Sequence, residues 1–522
     1  MNTPTANATL SVAAILAESA RRHTDRPAIT FGGVSTSYGE LWDQARAYAG
    51  ALRDAGIGEG DRVAVLIPNV TDFARVYYAV LSLGAVVVPI HALLKRHEIE
   101  YMLADAQVKT MVCAAPLLGE GAPGAQAAGA KVFTVLSPEA GGLPRLEDLA
   151  AAATPIDTYL PRNPLDIATI LYTSGTTGKP KGALGTHLAL VEQVNVILLN
   201  TLDIRVGDKI FGGLPLFHTF GQTVVLNAGL RAGAELLLMP KFTGEAALSM
   251  VLDEGVHIFA GVPTMYVGLL EAAKSRPEAA PELRYAVSGG ASLPLAVLEA
   301  FNARFGALIH EGYGLTETSP VASFNHVGKE PRPGTIGQPI WGVEVEIARA
   351  EVHDSIELLP RGELGELVVR GHLLFSGYLN RPEATAEAVV DGWFRTGDLG
   401  TKDEDDYVTI VDRKKDMILR NGYNVYPREV EEALITHPDI VNVAVFGVHD
   451  DKHGQEVAAA VTLVAGSTLT GQEISAYGES RLAAYKFPRR IEILTEFPLG
   501  PSGKILKREL VARYQESQAS AS

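Results

Sequence analysis

The sequence predicts an α/β protein with a large N-terminal domain of parallel and mixed sheets flanked by helices, a small β subdomain, and a small α+β C-terminal domain. Three observations carry this expectation. Over residues 1–114, short apolar runs alternate with amphipathic helical stretches, the pattern of parallel strands joined by helical crossovers. Over residues 333–411, glycines punctuate short β-rich runs. Beyond 412 lies a unit of about a hundred residues with its own helices and strands, small but viable as a domain. The division expected is therefore 1–411, with the β-rich part about 333–411, and 412–522. A chain of 522 residues exceeds what one core supports.

Composition narrows the class. Hydrophobic residues make up 47% and charged residues 20%, as in soluble globular proteins. A net charge of −16 argues against an extended nucleic-acid-binding surface. Cys113 is the only cysteine, so no intrachain disulfide forms and a cytoplasmic location is expected. No basic segment precedes the first apolar stretch, so no secretory signal is predicted. Residues 76–94 are free of charge but contain Gly84, Pro89 and His91. They read as a helix ending near Gly84 and a buried strand over 85–90, not as a transmembrane segment.

In chain order, helical spacing predicts helices over 11–23, 38–55, 73–83 and 97–106, and apolar runs predict strands over 27–31, 62–67, 85–90 and 110–114. Residues 115–130, rich in Gly and Ala, read as a surface excursion. A strand over 167–171 feeds residues 172–182, which hold Thr173, Ser174, Gly175, Thr176, Thr177, Gly178 and Lys179, then Lys181 and Gly182. Glycines let backbone N–H groups turn inward, and hydroxyls and ammonium groups add donors, so this stretch reads as a phosphate cradle. It is not a Walker A loop: two residues, not four, separate Gly175 from Gly178-Lys179, and Pro180 follows the lysine.

A helix over 188–200 follows. Residues 214–218 end in Phe217-His218 before Gly221. Alone, that histidine fits a structural role as well as a pocket wall. Strands are expected over 235–238, 258–262, 285–287 and 307–310. Two of them open into glycine-containing loops, Ser288-Gly289-Gly290-Ala291 and Glu311-Gly312-Tyr313-Gly314-Leu315-Thr316-Glu317-Thr318. In the second, glycines would let a planar ligand approach while Tyr313 stacks on it, and Glu317 could hold Mg2+ together with substrate phosphates. Loops at the C-terminal ends of parallel strands are where such sheets bind ligands.

The β-rich part closes at residues 392–398, where Asp398 fits a ribose ligand or a simple turn residue. Residues 403–406 form an acidic run that reads as a linker, followed by Asp412-Arg413-Lys414-Lys415-Asp416. The last unit carries Asn421-Gly422-Tyr423, helices over 427–436 and 471–482, strands over 441–447, 456–464 and 491–494, and Gly503-Lys504 on a glycine turn.

Taken together, the ordered stretches 172–182, 215–218, 313–318, 392–398, 412–416, 422–429 and 503–504 resemble the AMP-forming acyl-CoA synthetases of the adenylate-forming superfamily, over about residues 11–510. The resemblance implies two half-reactions. A carboxylate attacks the α-phosphate of Mg-ATP to give an acyl-adenylate and pyrophosphate, and a CoA thiol then displaces AMP. It implies that Thr173 to Lys179 hold the β- and γ-phosphates. Gly289, Gly290 and Ala291 would form the adenine slot with Glu311, Gly312 and Tyr313, Gly314 lying beside the ring. Thr316 would reach the α-phosphate, Glu317 and Thr173 the Mg2+, and Asp398 and Arg413 the ribose. Lys504 would bridge carboxylate, α-phosphate and ribose, and His218 would sit near the reacting carboxylate. Asp412 would be the hinge of a mobile C-terminal domain whose Gly422 loop faces the CoA tunnel. One departure stands out: Asp406 occupies a position where many relatives have glycine, and aspartate tolerates positive φ better than most residues.

The acyl pocket implied by the resemblance includes Phe217, Val262, Met265 and Leu315. Its windows carry no ionisable group beyond Glu317, His218 and Tyr266. A dicarboxylate would want an arginine clamp, and only Arg284 lies near. A medium- or long-chain fatty acid is expected, an aryl acid or short dicarboxylate less so. An adenylating enzyme that loads a carrier protein and a non-catalytic nucleotide-binding relative are the competing readings. The partners expected are the acid, ATP and CoA, with no nucleic acid, and a homodimer is left open.

Overall fold

The computed structural model describes residues 8–137, 142–173, 179–277, 280–450, 452–500 and 505–521. Two large sheets fill the N-terminal part. The six-stranded sheet runs Lys131–Val135, Thr110–Ala114, Arg62–Leu66, Val86–Pro89, Ile167–Thr173, Lys181–Thr186, parallel except for the last pair. The nine-stranded sheet has a parallel centre, Ile309–Gly314, Tyr285–Ser288, Ile258–Gly261, Lys209–Gly212, Glu235–Leu238, Pro27–Phe31, with antiparallel strands at both edges.

Helix Thr71–Ser82 packs against strands of both sheets and buries every residue but Arg75. A helix covered on all sides must be apolar all round, which accounts for the charge-free run from residue 76. Its two buried phenols are satisfied: Tyr78 donates to Asn227 Oδ1 at 2.8 Å, and Asn227 Nδ2 donates to Tyr77 at 3.2 Å. Among the described residues no helix is long and apolar enough to cross a membrane.

A five-stranded antiparallel sheet follows, built on Val343–Ala348, Gly365–Gly371, Trp393–Lys402 and Val408–Arg413. Beyond Arg413, hairpin Ile418–Arg420/Tyr423–Val425, strands Ile440–Asp450, Gly454–Leu463 and Arg490–Leu494, and helices Pro427–Leu434 and Gly471–Glu479 enclose a separate small core. Asn421 and Gly422 both have positive φ, as a two-residue hairpin turn requires.

Four sequence expectations are corrected. Residues 115–130 are not an excursion: Leu118–Ala127 is a helix. A Cβ at Gly121 would lie 2.8 Å from the Cys113 sulfur, and one at Gly124 would lie 2.9 Å from Ile99. The small residues are there for close packing. Cys113 is fully buried, and burial pushes its thiol up to about 12.

Lys181 and Gly182 belong not to a loop but to strand Lys181–Thr186, which forms a hairpin with Ile167–Thr173. A Cβ at Gly185 would meet Thr169 Oγ1 at 2.6 Å.

The strand expected to stop at His310 continues to Gly314 and pairs with Val321–Phe324. A Cβ at Gly312 would meet the Phe324 ring at 2.4 Å, so close strand pairing also requires a glycine here.

The acidic run 403–406 is a turn between strands Trp393–Lys402 and Val408–Arg413, not a linker. Asp406 takes φ +66°, and its carboxylate pairs with Arg361 at 2.7 Å and Lys402 at 3.0 Å.

Candidate active site

The C-terminal ends of Ile167–Thr173, Tyr285–Ser288 and Ile309–Gly314 carry the site. Thr173 and Lys179 bracket the phosphate loop, while Ser174, Gly175, Thr176, Thr177 and Gly178 lie outside the described residues. The base of the loop is pinned by phenols. Tyr172 donates to Asp105 at 2.9 Å, and Tyr101 donates to the Pro180 carbonyl at 3.0 Å. Lys179 is exposed, its ammonium 5.7 Å from the Tyr101 ring centroid. An exposed cation beside a hydroxyl-rich loop suits polyanion capture.

Gly289, Gly312 and Phe220 meet: a Cβ at Gly289 would lie 3.3 Å from the Phe220 ring and 3.4 Å from the Gly312 carbonyl. Gly290 has φ +82°, and Ala291 is exposed. Glu311 is buried and accepts from Leu293 N at 3.3 Å, which ties the two glycine-containing segments together. Burial pushes its carboxyl up to about 7. The protonated form is therefore favoured in the fold, and stability falls as pH rises from about 4.5 to 7. Glu311→Gln is expected to match the wild type in denaturant unfolding at about pH 4.5. At about pH 8 it should be more stable by about 1–3 kcal/mol. A difference independent of pH would contradict this.

Tyr313 donates to Asp398 Oδ2 at 2.5 Å, and Arg413 Nε lies 3.2 Å from Asp398 Oδ1. Asp398 and Arg413 face each other across the antiparallel pair Trp393–Lys402/Val408–Arg413, so strand register fixes their approach. The turn before Asp398 is held from beneath. Buried Glu366 accepts from Gly397 N at 3.1 Å and pairs with half-buried Arg395 at 2.6 Å. Asp412 is also buried, accepting from Arg413 N at 2.7 Å and from Arg428 N, in the first turn of helix Pro427–Leu434, at 3.0 Å.

Thr316 and Glu317 lie on a single 3-10 turn, Thr316–Thr318. Glu317 is buried, and burial raises its carboxyl, opposed first by a hydrogen bond from Tyr378. Lys181 and Arg413 favour the charged form more weakly.

Phe217, Phe220 and Tyr313 pack on one apolar cluster with Val262 and Met265. The Phe217 ring meets His91 edge-on, centroids 4.2 Å apart. Leu315 is not in that cluster; it packs with Ala183, Phe375 and Phe394. His218 Nδ1 accepts from Phe220 N at 3.3 Å, which leaves the neutral ring's proton on Nε2, a donor. Arg284 is committed elsewhere. It pairs with Asp203 at 2.9 Å and with Asp208, at the N-terminal end of strand Tyr285–Ser288 and away from Ser288. Lys504 lies outside the described residues. Gly422 caps the hairpin of the small C-terminal core, and among the described residues, its two chain neighbours aside, no atom lies within 4 Å of a Cβ placed there.

Sequence reading missed Tyr378, Glu366 and Arg395. A Gly-Tyr pair and a lone carboxylate in a strand carry no distinctive spacing, and only the fold brings them to the site.

Comparison with known proteins accords with this geometry. The profile of the AMP-binding enzyme family matches residues 16–379, and that of the AMP-binding enzyme C-terminal domain matches 429–504. The chain is 35% identical to a long-chain-fatty-acid–CoA ligase of Bacillus subtilis (strain 168), over 98% of this chain and 96% of the relative. It is 36% identical to a feruloyl-CoA synthase of an Amycolatopsis species, over 95% and 97%. The crystal structure of ATP-bound MatB from Rhodopseudomonas palustris superposes with a TM-score of 0.88 at 32% identity, covering 96% of this chain and 99% of that one. With phosphate hairpin, Tyr313–Asp398–Arg413 cluster and C-terminal unit in family order, the chain belongs to the AMP-binding enzymes and, within them, to the AMP-forming acyl-CoA synthetases.

Proposed function

We propose that this synthetase activates a medium- or long-chain fatty acid as acyl-AMP and transfers it to CoA, in the cytoplasm, using two bodies, 1–411 and 412–522, that turn about Asp412. The observation that carries the choice of acid is the pocket wall. Phe217, Val262 and Met265 belong to or pack on the apolar core, and Arg284, the arginine nearest these windows in sequence, is locked by Asp203 and Asp208. The likeness to the Bacillus subtilis ligase supports the same reading.

In the proposed roles, the loop from Thr173 to Lys179 grips the β- and γ-phosphates, and Thr316 reaches the α-phosphate. Gly289, Gly290, Ala291, Glu311, Gly312 and Gly314 form the adenine slot around Tyr313. Asp398 and Arg413 bind the ribose, the carboxylate accepting from the sugar hydroxyls. His218 offers its Nε2 proton to an oxygen of the entering carboxylate and orients it for attack. Lys504 neutralises the two anions as they meet. Gly422 borders the CoA tunnel once the C-terminal body has turned. Leu315 joins the pocket from the phosphate side.

Glu317 and the Thr173 hydroxyl fit a Mg2+ site. Both offer hard oxygen ligands, Glu317 is a buried carboxylate short of compensating charge, and Mg2+ is commonly held by one or two carboxylates plus substrate phosphates. Such a cation would neutralise phosphate charge.

An aryl acid is the second reading, favoured by one observation. Within the pocket windows, the buried hydroxyls of Thr219 and Ser288 have no hydrogen-bond partner among the described residues, and a ring hydroxyl would satisfy one. Carboxylate-dependent pyrophosphate exchange across fatty, aryl and dicarboxylic acids, followed by thioester formation with free CoA, tests both. Fatty acids of roughly eight to sixteen carbons should exceed benzoate and malonate by at least about tenfold in kcat/KM. A hydroxylated aryl acid in first place would select the second reading. Exchange without acyl-CoA would point to a carrier protein as acceptor.

A further inference from the structure

Tyr378 belongs to none of the sequence motifs, yet its hydroxyl donates to Glu317 Oε1 at 2.7 Å. The contact is held from several sides. Phe375 N donates to the Glu317 carbonyl at 2.9 Å. Segment 375–379 is laced to the phosphate hairpin: Ser376 N to Leu184 O at 2.8 Å, Leu184 N to Gly377 O at 3.0 Å, and Leu379 N to Gly182 O at 2.8 Å. Tyr378 N donates to Thr385 Oγ1 at 2.9 Å. The ring packs edge-on to Phe375, centroids 4.8 Å apart, and the Lys181 ammonium sits 5.1 Å from its centroid. Backbone and ring are both fixed, so the hydroxyl is delivered to one oxygen of a buried carboxylate.

A carboxylate that ligates a metal needs an outer donor to set its orientation, and losing such a donor typically costs about 10–100-fold in metal affinity or activity. We propose that Tyr378 is a positioning residue of the magnesium–ATP site, holding Glu317 by one oxygen and leaving the remaining lone pairs for the cation that arrives with the phosphates. Through segment 375–379 it also couples that carboxylate to the phosphate hairpin, so that the two halves of the polyphosphate site move as one. This inference rests on the assignment of Glu317 to the cation.

The test is Tyr378→Phe, which keeps the ring and its packing and removes only the donor. Mg2+ is titrated in pyrophosphate exchange, and ATP binding is measured by calorimetry with Mg2+ and with EDTA. Half-saturating Mg2+ should rise about tenfold or more, and ATP affinity in Mg2+ should fall to match. ATP affinity in EDTA, the KM for the acid and the melting temperature should stay within about twofold or unchanged, as deletion of a single donor predicts. Glu317→Gln alone should shift the Mg2+ dependence at least as far, and adding Tyr378→Phe to it should change nothing further. Should Tyr378→Phe not fold, Thr385→Ala should give a smaller shift in the same direction. Wild-type Mg2+ dependence in Tyr378→Phe, or equal weakening with Mg2+ and with EDTA, would overturn the proposal while leaving Glu317 in place. An unshifted Glu317→Gln would instead remove the cation assignment and this inference with it.

Discussion

Replacing Lys504 with alanine is expected to slow pyrophosphate formation by about three orders of magnitude, while thioester formation from supplied acyl-adenylate stays within a few-fold of wild type. Adenylation brings a carboxylate against a polyphosphate, so its barrier is dominated by like-charge approach, and a cation placed between the two acts only in that step. The described residues on either side of Lys504 are anchored to the C-terminal body. Leu499 and Ile505 form an antiparallel bridge, and Lys507 pairs with Glu431 at 2.7 Å. On the proposed turn of that body, a lysine carried on it leaves the reaction centre, and thioester formation then has no use for it. Single-turnover measurement of each half-reaction separates the two effects. Equal loss in both would show that Lys504 acts in some other way.

Asp398→Ala is expected to raise the KM for ATP by about a hundredfold and to lower unfolding stability by about 2 kcal/mol. The two effects have separate origins. Asp398 is buried and takes the Tyr313 hydroxyl on one oxygen and approaches Arg413 with the other. Its loss strands a half-buried phenol and an arginine together; because Arg413 keeps access to water, the cost falls below that of a fully buried pair. The affinity loss comes from the sugar, which loses a charged acceptor, and from the Tyr313 ring, which loses its tether. Asp398→Asn restores an acceptor and should recover stability before it recovers affinity. Denaturant unfolding and exchange kinetics on both variants check this. A stability loss with an unchanged KM for ATP would remove the ribose assignment.

Much of the architecture was legible because strand and helix periods are read directly from apolar spacing. Strands Pro27–Phe31, Thr110–Ala114 and Glu235–Leu238 stand where that spacing predicts them. The errors share a cause: glycine has two uses. At Gly121, Gly182 and Gly312 it admits a neighbouring segment at a distance no Cβ would allow, yet from sequence it reads as a loop. The acidic run 403–406 misled similarly, since a surface turn between two strands and a linker are equally solvated. Within the candidate site, the loops dense in hydroxyls, glycine and lysine stood out in the sequence. Tyr378, Glu366 and Arg395 did not, because each acts through a neighbour brought close by tertiary packing.

Cys113, sealed under helix Leu118–Ala127, makes the chain a clean background for thiol chemistry. A maleimide dye finds no reactive sulfur on the native surface, because the one thiol is both inaccessible and held protonated. Cysteines introduced at the exposed positions Leu93 and Tyr423 would then be the sole targets, one on each part of the molecule. On the proposed turn of the C-terminal body, a donor and acceptor dye on that pair would report each half-reaction as a change in energy transfer, so the order of chemistry and rotation could be timed in single molecules.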